Sequence, residues 1–193
     1  MTVKTELTRE QWLTIALHQY VAPLLAEKAG VTVPTDALVS CGFPGGGSAR
    51  KRIGECWTRM MSSTGVNELF ISPKISDNPA KMLDVLVHEA IHAADDCQSG
   101  HKGFFRKAAT AVGLEGKMTS THAGPELAKW IADTLAKLPK ITHSKLDLSS
   151  REKKKTYLLK IECPACGCTL RGTATALGVG LPTCGCGTDM VLA

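Results

Sequence analysis

The chain is short of aromatic residues: Phe, Trp and Tyr make up 5% of its 193 positions. Its core must therefore rest on Leu, Val, Ala and Ile, which the 44% hydrophobic fraction supplies. No run of 18 apolar residues occurs, which argues against a membrane span, so no membrane partner is expected. The opening MTVKTELTREQW lacks the apolar centre of a secretory signal, and the expected compartment is the cytoplasm. Acidic residues are outnumbered, 18 against 23 Lys and Arg, for a formal charge of +5. That balance permits a polyanionic partner without establishing one. Cysteine is sparse until residue 163: Cys41, Cys56 and Cys97 stand apart and read as ordinary buried thiols. The other five, Cys163, Cys166, Cys168, Cys184 and Cys186, crowd near the end. Without a secretory signal, that crowding reads as metal-binding spacing better than as a disulfide scaffold.

What is present centres on His88-Glu89-Ala90-Ile91-His92, within VLVHEAIHAADD. Two histidines four apart share one helix face and can hold one zinc ion. Glu89, between them, is placed to act as general base on a zinc-activated water. A catalytic zinc usually takes three protein ligands. His101 is the best third, because Asp95–Gly100 allows a turn that brings it back; Asp96, Glu115, His122 and Glu126 are rivals. Asp95 or Asp96 is instead a candidate to orient a ligand imidazole from behind.

Thr8 and Gln11 have the spacing of a capping box, opening a helix that Gly30 stops and Pro23 kinks or divides. His18 within it reads as a packing or surface residue. Residues 36–43, 52–58 and 67–72 read as short strands, with a basic, glycine-rich loop after the first. Asn78-Pro79 is a helix start, and Met82, Leu83, Leu86, Val87, Ala90 and Ile91 recur on its buried side as far as about Asp96. Further helices are expected from Gly103 to Gly113 and from Pro125. Three short strands before a long helix suggest a small sheet beside the metal helix, the plan of an α+β domain. Zinc peptidases commonly offer such a sheet's edge strand to an extended substrate.

From Pro139 the composition changes. Residues 137–160 hold eight Lys or Arg against two acidic residues. The chain is accordingly divided into a domain at 1–136, a basic linker at 137–156 and a cysteine module at 157–193. In the module, CPACG and CGCG give two close cysteine pairs seventeen residues apart. A closed, structural four-thiolate zinc through Cys163, Cys166, Cys184 and Cys186 fits them, with Cys168 as a possible replacement. Lys153, Lys154, Lys155, Lys160 and Arg171 are candidates for contact with nucleic-acid phosphates. Tyr157 alone makes no stacking platform.

CGFP at 41–44, RIGECW at 52–57, ELFISP at 68–73, VLVHEAIHA at 85–93, GHKGFF at 100–105, GLEGKMT at 113–119 and LPTCGCG at 181–187 together resemble the SprT-like zinc metallopeptidases. The resemblance is to the compact forms encoded by bacteria and their viruses, and it covers roughly residues 35–190. It implies a zincin-like domain with a small sheet and metal helix, followed by a C-terminal zinc ribbon. It implies zinc on His88, His92 and His101, with Glu89 catalytic. The family is related to the Spartan proteases, which cut proteins attached to DNA. The leading expectation is thus a zinc-dependent endopeptidase, with DNA-associated proteins as the substrates that the resemblance suggests. The alternatives are a nucleic-acid-binding or regulatory protein with a weak or silent site, and a virus-encoded processing or lysis-related hydrolase.

Overall fold

A computed structural model of the chain describes residues 7–45, 52–141, 143–147 and 158–193. The chain divides into two compact units, residues 1–148 and 149–193. Both mix helices with small sheets, as an α+β protein does.

The first unit opens with a helix in three continuous pieces: α1 (Arg9–Ile15), a π-helical stretch (Ala16–Val21) and α2 (Ala22–Ala29). The capping box forms: Thr8 Oγ1 accepts the Gln11 N–H and Gln11 Oε1 accepts the Thr8 N–H. Pro23 explains the π register. In an α-helix its ring would strike the carbonyl four residues back. The wider turn, with the Ala22 N–H bonded to Leu17 O, absorbs the mismatch without a break. Gly30 ends the helix with φ 64°, the left-handed conformation a side chain would resist. His18 is held by a 3.1 Å contact to the Ala37 carbonyl, a packing role.

Strands β1 (Leu38–Cys41), β2 (Gly54–Trp57) and β3 (Glu68–Ile71) form one sheet in the order β1-β3-β2. β3 is central, parallel to β1 and antiparallel to β2. All three lie inside the stretches expected to be extended. Leu69 and Ile71 point to the inner face and are fully buried, while Glu68 and Phe70 alternate outward. On that inner face lies α3 (Pro79–Ala94), started by Asn78 Oδ1 accepting the Lys81 N–H. Met82, Leu83, Leu86, Val87, Ala90 and Ile91 are buried along it. The π stretch, α4 (Gly103–Ala111) and α5 (Pro125–Leu135) pack against α3. Between α4 and α5 a hairpin forms from β4 (Leu114–Lys117) and β5 (Ser120–Ala123).

The expected domain end at residue 136 is too early. Leu138 is buried in the core and Ile141 packs on it. The Trp12 indole N–H donates to Pro139 O, Arg9 donates to Ser144 O, and the Leu146 N–H donates to Pro73 O. This strap is extended, so its few apolar anchors show no period and its lysines dominate the composition.

The second unit has β6 (Leu158–Glu162) between β7 (Thr169–Thr173) and β8 (Val191–Leu192), all antiparallel, with the short helix α6 (Ala174–Gly178). Its buried residues are Ile161, Cys163 and Met190. Among the described residues, no helix is long and apolar enough to cross a membrane.

Candidate metal centre

The i, i+4 geometry of α3 brings His88 and His92 to one side, and α3 stops two residues after His92. The next turn is tight. Asp96 and Cys97 both adopt left-handed φ, 51° and 59°, as do Gly100 and Gly103. For residues with side chains such conformations cost roughly 1–3 kcal/mol each. The turn is held by specific bonds: the Cys97 N–H reaches His92 O at 2.8 Å, and Asp95 Oδ2 accepts the Ser99 N–H. Asp96 Oδ1 accepts from the Arg59 N–H and from the fully buried Asn67 amide. The chain is thereby turned back, and His101 faces α3.

His101 Nε2 lies 3.3 Å from His88 Nε2 and 3.2 Å from His92 Nε2. Around a tetrahedral ion bonded at about 2.0–2.1 Å, nitrogen ligands stand about 3.3–3.4 Å apart. The three rings could therefore hold a metal ion of that kind. Asp96, Glu115, His122 and Glu126 do not join the cluster. Asp96 is instead spent on the turn. Asp95 is close enough to oppose the downward shift of the His92 pKa.

Burial, then the neighbouring histidines and Lys81, lower the His88 pKa to about 3; burial, then His101, lowers that of His92 to about 4. Burial lowers that of His101 as well. Neutral imidazoles with free lone pairs are what a metal requires. His88 Nδ1 lies 2.8 Å from Thr121 Oγ1 on β5. In the tautomer in which Nδ1–H donates to Thr121, the Nε2 lone pair faces the cluster. Phe105 of α4, fully buried, stacks on His92 with centroids 4.3 Å apart and meets His88 and His101 edge-on.

Glu89 is not a member of the cluster but shares its cleft, a space of about 680 Å³ between β2, α3 and the β4–β5 hairpin. It is 6% exposed. Burial first, then Cys97 and Glu55, push its carboxyl up to about 8, with Arg52 opposing. A cation at the three nitrogens would draw that value down. The carboxyl packs against Gly54 of β2. A Cβ there would collide with Glu89 Oε1 and come within 2.5 Å of Val85 Cγ1. β2 thus sits tight against the metal helix, and among the described residues its other edge has no partner strand.

Cys56 and Cys97 also line this cleft and, with Cys41, are partly exposed, so the expectation of three ordinary buried thiols does not hold. A second groove of about 320 Å³ on the outer sheet face, walled by Phe43, Trp57, Met61 and Phe70, contains no metal-ligating cluster.

In the second unit, Cys163, Cys166, Cys184 and Cys186 bring their sulfurs together, with Cys163–Cys186 and Cys166–Cys184 each at 3.5 Å. Such a four-sulfur group could hold a metal ion. Each cysteine pair sits on a tight turn, closed by Gly167 N–H to Cys163 O and by Gly187 N–H to Cys184 O. Both glycines have left-handed φ, 70° and 84°. Hydrogen bonds from Thr188 hold the Cys186 thiol down to about 6. Cys168 stays outside the group and contributes its carbonyl, which accepts the Cys163 N–H.

Lys160 of β6 stands opposite Arg171 of β7 and pairs with Glu162 at 2.7 Å. Lys153, Lys154 and Lys155 lie outside the described residues. Thr121, Phe105 and Gly54 were not evident as site residues from sequence. Gly54 had a signal, a glycine inside an apolar strand, which often marks close approach of another group.

The fold and the two clusters define an α+β protein with two candidate metal centres of different chemistry, one of imidazoles in an open cleft and one of thiols. No family model matches the chain, and comparison with curated proteins and with solved structures returned no match.

Proposed function

We propose that the chain is a zinc-dependent endopeptidase of the SprT-like, zincin kind, followed by a zinc ribbon. One observation carries the reading: three neutral imidazoles converge in a cleft that also holds a buried carboxylic acid and runs along a sheet edge.

His88, His92 and His101 would hold the zinc, and Cys163, Cys166, Cys184 and Cys186 a second, structural one. When bound at the histidines, the metal supplies Lewis acidity, activating water and polarising a carbonyl. The peptide substrate is expected to lie extended along β2 and to hydrogen-bond to its free edge, which aligns one carbonyl with the metal helix. Glu89 takes a proton from the attacking water on its carboxylate oxygen and passes it to the departing amine nitrogen. Its burial favours this shuttle, since burial penalises the charged form and not the acid form. Thr121 keeps His88 in the ligating tautomer, and Phe105 limits ring rotation and excludes water from behind.

DNA-associated proteins are the proposed substrates. The support is the excess of basic residues, with Lys160 beside Arg171, together with the SprT-like sequence blocks. The test compares zinc-loaded wild type with Glu89→Gln on unfolded and DNA-bound proteins, with and without single-stranded DNA. Glu89→Gln should keep both metals and lose turnover. Equal cleavage by both proteins would remove Glu89 as the base. Inertness of wild type across a broad panel would sink the peptidase reading and favour a binding protein with a silent site.

A further inference from the structure

The cleft holds two cysteines for which the proposed chemistry has no use. Cys56 is on β2, its register partner is the inward-facing Leu69, and its side of the strand therefore faces α3. Cys97 is in the turn after α3, four residues before His101. They are far apart in sequence, yet Cys97 Sγ lies 3.5 Å from the Cys56 carbonyl oxygen. Cys56 packs on the edge of the core, and its Sγ makes a long 3.8 Å contact to the Trp57 carbonyl. Cys97 is fixed more firmly. Its left-handed backbone and the Asp96 bonds to Arg59 and Asn67 set the turn against the β2–β3 end of the sheet. Both thiols border the open cleft and both are partly exposed, so a small reagent can reach them.

We propose that Cys56 and Cys97 are a modification site: a cleft dithiol that closes to an intramolecular disulfide by exchange with a low-molecular-weight disulfide such as glutathione disulfide. One protein thiolate attacks a sulfur of the reagent, forming a mixed disulfide and expelling one reagent thiolate. The second protein thiol gives its proton to solvent and displaces the other reagent thiol. The protein is oxidised by two electrons and loses two hydrogens; the reagent is reduced to two thiols. The new bond ties the edge strand to the turn that carries His101. It also lies in the wall of the cleft that Glu89 lines. If the cleft binds peptide as proposed above, the oxidised form is blocked and a reductant restores it.

The experiment treats the zinc-loaded full chain with glutathione disulfide and maps disulfides by peptide mass. A Cys56–Cys97 crosslink, absent in Cys97→Ser and in Cys56→Ser, is the expected result, and dithiothreitol should reverse it. Cys97→Ala provides a second test should the serine variant misfold. Stable mixed disulfides on both residues, or pairing of either with another cysteine, would overturn the site. This readout needs no activity, so it decides the proposal even if the chain cleaves nothing. For a chain that does cleave, the rate should fall to background on crosslinking and return on reduction. An unchanged rate in the crosslinked protein would overturn the blocking role.

Discussion

Gly54 is the position at which one added atom would run into the Glu89 carboxyl. The Glu89 carboxyl occupies the space a β-carbon would need, and Val85 closes the other side. Gly54→Ala therefore forces either the carboxyl or β2 to move. Overpacking of this kind costs roughly 1–3 kcal/mol in a well-packed site. The atoms nearest the added carbon belong to Glu89 and Val85, not to a histidine, so the variant should bind metal at both proposed centres with wild-type stoichiometry. On the proposed mechanism, turnover should fall far more than stability, because the carboxyl is displaced from the position the proposed proton transfer requires. Metal analysis, thermal melting and cleavage rates on one preparation separate these effects. Loss of the histidine-site metal in Gly54→Ala would show that β2 supports the ligands as well as the base.

At the scale of elements, the centre is assembled from α3, the turn after it, α4 and the β4–β5 hairpin. α3 was legible because its signals agree: an Asn cap, Pro at the first helical position, apolar residues at helical spacing, and two histidines one turn apart. The three sheet strands were legible from short apolar runs bounded by turn residues. His101 was legible only as the best of several donors, since its return depends on two consecutive left-handed residues, Asp96 and Cys97, that carry no glycine to announce them. The hairpin was not legible. LEGK and STHA have no apolar alternation, and their pairing is set by the ends of α4 and α5. Yet this hairpin supplies Thr121 to His88. Thr121→Val keeps the shape and removes the oxygen. Loss of such a supporting bond typically weakens metal affinity by about 10–100-fold. Competition with a chromogenic chelator should show that loss at the histidine site alone, with the four-cysteine site unchanged. Equal affinities in wild type and Thr121→Val would mean that ring packing on Phe105 suffices to orient His88.

At the scale of the whole molecule, the two units have separate cores of very different size. The first buries a long set of apolar residues from six helical segments and a sheet, whereas the second buries Ile161, Cys163 and Met190. A core of three residues among those described cannot offset the entropy of ordering such a segment, so a metal held by the four sulfurs, as proposed, would supply most of the stability of the second unit. Cys184→Ser should accordingly release one metal equivalent and abolish amide-exchange protection in β6, β7 and β8. The main thermal transition and the histidine-site metal should stay as in wild type. Removing the metal with a strong chelator should unfold the second unit in the same way, and re-adding zinc should restore it. Loss of both metals together in Cys184→Ser, or a single shared transition, would show that the units are energetically one. The serine substitution would then be expected to lower the proposed peptidase activity as well as the metal content of the second unit.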